Sequence, residues 1–186
     1  MSTFVLGLIV FFASHSFTAL FRGARQRLVD RVGVIGYRGL YSVFALAGLV
    51  LIIIGWRDAD TTALYTPPVW MRQVVYVLML VAIILLVAAY APKGRIAAAT
   101  KHPMLAGLKI WAFAHLLANG EIRSVLLFGA FLAFGILDRI AVKRRGAPVP
   151  AAGPWRNDAI AVIMGAAIYA AIAFYLHRYI AGVALI

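Results

Sequence analysis

Long apolar runs, each closed by a short cluster of charged or turn-forming residues, set the rhythm of this 186-residue chain. A bilayer core asks for roughly 17–25 predominantly apolar residues per helix. On that measure, spans are expected near 3–21, 40–56, 71–91, 103–119, 124–141 and 158–180. The fourth is short and interrupted by Lys109, but its ends are marked. Pro103 suits a first helical position, Thr100 or His102 is placed to cap it, and Asn119-Gly120 is a stop signal. The pattern predicts an all-α, polytopic membrane bundle of about six transmembrane helices in a single domain over residues 1–186, with the lipid bilayer as its main partner.

Composition sharpens this picture. The chain is 65% hydrophobic and only 13% charged, with a mean hydropathy of +0.95, above the range of ordinary soluble domains. It has no cysteine, which excludes disulfides, zinc–thiolate sites, iron–sulfur clusters and covalent c-type haem attachment. The net charge of +12 lies in blocks between apolar runs, so it reads as membrane topology and no nucleic-acid partner is expected. Arg22, Arg25, Arg27, Arg31 and Arg38 against one acid, Asp30, place the first connection in the cytoplasm. Alternation of the later blocks (Lys93, Arg95 and Lys101; then Lys143, Arg144, Arg145 and Arg156) puts both termini outside. The first run lacks a cationic start and a cleavage site, so it is expected to be a retained helix. Asp138 with Arg139, and Asp158 with Arg156, are expected as local ion pairs. Small residues at Ala161, Gly165, Ala166, Ala170 and Ala173 predict close helix packing on the last span.

Four histidines carry the candidate chemistry. A rise of about 1.5 Å per residue puts His15 roughly 10 Å and His115 roughly 18 Å from the cytoplasmic ends of their spans, with His102 and His177 near the two surfaces. Polar groups at bilayer depth need a partner, a cavity or a metal. For His15 the simplest partner is an interhelical hydrogen bond to Ser14, Ser16, Ser42 or Tyr41. A bare metal site lacks intramembrane carboxylates, and zinc usually wants three protein ligands; haem needs only one or two axial histidines. Depth alone leaves open which histidines share a partner. His102, at a helix start, suits either capping or an anionic group, Lys109 is placed to snorkel or to neutralise a carboxylate, and His177 suits a surface anchor.

The strings Lys101-His102-Pro103-Met104-Leu105-Ala106-Gly107, Trp111-Ala112-Phe113-Ala114-His115 and Glu121-Ile122-Arg123-Ser124 together resemble the NnrU family. His15-Ser16 with Arg22, the patch Gly36-Tyr37-Arg38 with Tyr41-Ser42, and Asp158 with Gly165 and Tyr169 extend the resemblance over nearly the whole chain. It implies a multi-pass protein of the bacterial inner membrane associated with nitrite and nitric oxide reduction. The same motifs are similar to the 15-cis-zeta-carotene isomerases, membrane enzymes that use haem b to isomerise a polyene. That similarity implies haem b with His15 and His115 as axial ligands, Arg22, Arg38 or Lys109 at the propionates, and His102 and Trp111 in the cofactor's surroundings. The implied partner is a redox protein or a hydrophobic polyene. The isomerases carry a cysteine three positions before their second histidine, where this chain has Ala112, so their ligand exchange is not expected here. Lys101-His102-Pro103 also resembles the opening of membrane methyltransferases, but Lys143 to Pro154 lacks their cofactor-binding glutamates.

Overall fold

The computed structural model describes residues 1–185, and its order is α1 (Ser2–Leu20), α2 (Arg22–Trp56), α3 (Met71–Tyr90), α4 (Arg95–Thr100), α5 (Pro103–Ala118), α6 (Ile122–Arg144), α7 (Trp155–Ala171), a π-helical turn (Ile172–Leu176) and α8 (His177–Ala181). Among the described residues there is no strand, only an isolated bridge between Ala63 and Glu121. Five helical stretches are long and apolar enough to cross a bilayer: α1, α2, α3, α6 and the continuous Trp155–Ala181. With its 16 residues, α5 spans about 24 Å and is shorter than the usual requirement. The protein is thus an all-α, multi-pass membrane protein, with its apolar helices where the hydrophobic runs predict them.

Two segments expected as connections are helical. Arg22 to Val32 forms a helix that joins the second span across a break at Gly33, with φ 76° and ψ 166°. A side chain is strained at that positive φ, so glycine is the residue that lets the chain turn there. The second unforeseen helix, α4, lies in the stretch before Pro103.

The helices group into two compact units, one of residues 1–66 with 119–146, the other of residues 67–118 with 147 onward. In the first, α1 and α2 pack antiparallel through glycines. A Cβ built on Gly7 would lie 2.6 Å from the Ile52 nitrogen, and one on Gly48 would lie 2.5 Å from the Phe11 nitrogen. Only glycine permits such backbone approach. Phe4, Leu8 and Ile52 form the buried core beside Trp56, Phe11 and Phe12. Helix α6 joins this pair through Phe131, 4.9 Å from Phe12 between ring centroids. The 57–66 connection is tied to the start of α6 by Leu64 N–H to the Gly120 carbonyl (2.8 Å) and Ile122 N–H to the Thr62 carbonyl (3.0 Å). Arg123 closes that end, 2.8 Å from the Glu121 carboxylate and 4.7 Å above the Trp56 ring.

In the second unit α3 packs against α5 and α7. A Cβ on Gly107 would lie 2.9 Å from the Ala82 carbonyl oxygen, and one on Gly165 2.8 Å from the Ile84 Cα. The small-residue stripe of the last span is therefore a packing face, with Ala161, Gly165 and Ala173 buried.

Three polar expectations need correction. Asp158 does not pair with Arg156: its carboxylate accepts the N–H groups of Arg95 (3.0 Å) and Ile96 (2.9 Å). It therefore caps α4 from a distant part of the sequence, satisfying donors that the first helical turn leaves open. Asp138 approaches Arg145 at 3.9 Å rather than its neighbour Arg139, because residues seven apart lie on one helix face and adjacent ones do not. Thr100 does not cap α5. Its hydroxyl donates backward to the Ile96 carbonyl at 2.8 Å, inside α4.

Candidate functional site

His15 lies in α1 of the first unit and His115 in α5 of the second. Each sits four residues after a carbonyl that its ring meets. The Nδ1 of His15 is 2.7 Å from the Phe11 oxygen, and that of His115 is 2.8 Å from the Trp111 oxygen. A carbonyl oxygen can only accept, so each Nδ1 carries the proton and donates. In a neutral imidazole that leaves the lone pair on Nε2. Of the expected partners Ser14 does reach the ring, its Oγ 3.3 Å from Nδ1, but within α1 rather than between helices, and its hydroxyl donates to the same Phe11 carbonyl at 2.8 Å.

Around His15 the first unit is aromatic. The imidazole stacks on Phe11 at 4.1 Å and 27°, meets Tyr41 edge-on at 5.3 Å and faces Phe134 of α6 at 5.7 Å. Below it, the Thr18 and Tyr37 hydroxyls bond at 2.7 Å, and Tyr37 is only 6% exposed. Around His115 the second unit is small. Trp111 is 5.0 Å from the imidazole, while Ala112 and Ala114 are fully buried.

The other sequence candidates divide by exposure. Arg22 and Arg38 are exposed, while Lys109, Trp111 and His102 are half-buried. Trp111 serves His115 through its backbone oxygen as well as its ring. His102 precedes α5, and its carbonyl accepts the Ala106 N–H at 3.1 Å. His177 binds its own C-terminal turn, Nδ1 to the Val183 carbonyl at 2.7 Å.

One residue passed over by the sequence reading stands out. The Arg25 guanidinium lies 5.1 Å from the centre of the Tyr37 ring, and its Nε is buried with no hydrogen-bond partner. The signal was present in the pattern: in the helix from Arg22 to Val32, Arg25 falls on the face of Ala24, Leu28 and Val29, not on that of Arg22, Arg27 and Arg31.

No group of three or more histidine, cysteine, aspartate or glutamate side chains gathers to hold a bare metal ion among the described residues. Each unit offers one histidine held by a carbonyl of its own helix, which by itself suits only a metal that brings most of its own ligands. Two histidines, each with Nδ1 held by an oxygen acceptor, show the arrangement metal-ligating histidines nearly always have.

Several helices long and apolar enough to cross a bilayer, and two histidines held in one tautomer on apolar helices, define a multi-pass helical membrane protein with candidate ligand groups. The family model described as NnrU protein matches residues 3–185, and the chain belongs to that family. Neither a curated protein nor a solved structure matches it.

Proposed function

We propose that this protein binds haem b in the bacterial inner membrane, with His15 and His115 as axial ligands, and acts as a redox or accessory factor in nitrite and nitric oxide reduction. The observation that carries the reading is the shared Nδ1-to-carbonyl bond of the two histidines, at 2.7 Å and 2.8 Å. That bond orients each ring and directs its Nε2 lone pair to a ligand's metal. Haem would supply one-electron iron chemistry. The chain's part is to fix both imidazoles and, with Phe11 and Phe134 beside His15, to keep water from that side. Two histidine ligands fill both axial positions, which favours electron transfer or redox sensing over chemistry on a bound small molecule. In this reading both termini face outward, and the arginine-rich start of α2 faces the cytoplasm.

Polyene isomerisation ranks second. It would require one ligand to leave, and the position that could offer an exchanging thiolate is Ala112, fully buried and without a donor atom.

Visible spectra of the protein purified in mild detergent from haem-replete cells test the proposal. The expected result is a Soret band with a sharp reduced α-band, both lost or converted to a high-spin form in His15→Ala and in His115→Ala. A wild-type protein without a Soret band would overturn the cofactor, and a spectrum untouched by both substitutions would overturn the ligands. Adding a cis-polyene under reducing conditions separates the roles, since turnover would favour the isomerase.

A further inference from the structure

The helix from Arg22 to Val32 has two faces. Residues 24, 25, 28 and 29 are partly buried, whereas 22, 23, 26, 27, 30 and 31 are exposed. A spacing of one, four and five residues is one side of an α-helix, so Arg25 points the way the apolar residues point. The one acid nearby, Asp30, is exposed and accepts a hydrogen bond from Gln26 at 2.8 Å. Arg25 thus stands on the partly buried face, in no ion pair among the described residues, and its Nε is buried without a hydrogen bond. The Tyr37 ring, 5.1 Å away, compensates in part through its π-face. A buried N–H without a partner still calls for an acceptor, and the acceptor that suits a guanidinium best is an oxyanion.

What lies next to it indicates which oxyanion. Tyr37 and Tyr41 are one turn apart on α2, about 6 Å along the axis. Tyr37 links Arg25 to Thr18, and Tyr41 meets the His15 ring at 5.3 Å. Arg25, Tyr37, Tyr41 and His15 therefore follow one another within the first unit, cation at one end and imidazole at the other. Haem b carries its iron and two carboxylates on one rigid ring, so it needs these two kinds of group near each other.

We propose that Arg25 is the residue that receives a propionate carboxylate of the haem ligated by His15, with the Tyr37 ring holding the guanidinium in place. This rests on the haem reading above. It replaces the exposed Arg22 and Arg38 with a residue whose planar fork suits a carboxylate bidentately, on the partly buried face of the helix.

The test compares haem b with its dimethyl ester, which has the same iron and ring but no carboxylate, binding to the full-length apoprotein in detergent and read by the Soret band. Wild type is expected to bind haem b on the order of tenfold tighter than the ester, the scale of one hydrogen-bonded charge pair. In Arg25→Gln that preference disappears through loss of haem b affinity alone, Arg25→Lys restores part of it, and Arg31→Gln leaves it intact. A wild type that binds both ligands equally would overturn the Arg25 assignment and leave the haem reading standing, as would an Arg25→Gln protein that weakens both equally. A wild type that binds neither would overturn both. Since the wild-type ratio is decisive by itself, a poorly folding variant does not shield the proposal.

Discussion

The two units place a histidine on an apolar helix in the same way and surround it in opposite ways. In the first, His15 lies among Phe11, Tyr41 and Phe134, and on its N-terminal side α1 and α2 meet backbone to backbone at Gly7 and Gly48. In the second, His115 has buried alanines at Ala112 and Ala114, and the helices are tied by polar capping, with Asp158 on the start of α4 and the Asn157 amide on the Lys93 carbonyl at 2.9 Å. The orientation of an imidazole is thus set by its own helix, four residues back, while its environment is set by what the neighbouring helices bring. Close glycine contacts and hydrogen-bonded ends occur in both units, so the contrast lies in what surrounds each imidazole, aromatic rings in the first and small side chains in the second.

The largest effect should come from filling the glycine contacts. Gly48→Ala would force a methyl against the Phe11 backbone and is expected to cost about 2–3 kcal/mol, within the range of overpacked cores. Gly129→Ala in α6, where an added Cβ meets nothing within 4 Å, should be neutral or stabilising by up to about 1 kcal/mol, since alanine is the better helix former. Detergent-denaturation midpoints of the two variants would check this, and equal midpoints would mean that the Gly48 contact does not carry the packing around His15.

A smaller effect belongs to the second unit. Asp158→Ala leaves the Arg95 and Ile96 amides without their acceptor and should cost about 1 kcal/mol, the usual worth of an N-terminal cap. Amide exchange would report it as faster exchange at those two positions and unchanged protection in α1. Uniform loss of protection would mean that capping does not act locally.

The smallest lies in the connection of the first unit. The Asp60 carboxylate accepts the Thr62 N–H at 2.8 Å, and hydrogen bonds from Thr62 hold its pKa below the ordinary carboxylate value. A depressed pKa means the ionised form is favoured in the fold. Its contribution is complete above the ordinary carboxylate pKa and fades as pH falls through the lowered one. Exchange at Thr62 should therefore accelerate, relative to an intrinsic-rate control, only in that acidic window. Asp60→Asn should show the faster exchange at neutral pH.

The hydrophobic runs made the membrane helices legible because length and apolarity alone decide whether a segment can cross a bilayer. His15 and His115 were legible because polar groups are rare in such runs. The rest depended on partners far apart in sequence. Asp158 caps residues more than sixty positions earlier, so no local rule could separate it from an ion pair with Arg156. The Gly7 and Gly48 contacts lie on different helices, and their meaning appears only in the antiparallel register. Arg25 was hidden among arginines that orientation rules treat alike, and only the face it occupies sets it apart. The helix from Arg22 to Val32 was masked because charge marked it as a connection, although charged connections can be helical.

The π-helical turn at Ile172–Leu176 acts as a built-in frame shift. Such a turn holds one residue more than α-geometry allows, so the side chains beyond it are rotated by about 100° from where an unbroken 3.6-residue repeat would put them. The packing face read from Ala161 and Gly165 therefore does not extend in phase to the residues beyond the turn, where Tyr76 of α3 donates to the Leu185 carbonyl at 3.0 Å. Deleting one residue within 172–176 would restore the α-repeat and swing the C-terminal turn away from the Tyr76 hydroxyl, although the contact between His177 and Val183, wholly beyond the deletion, would be kept.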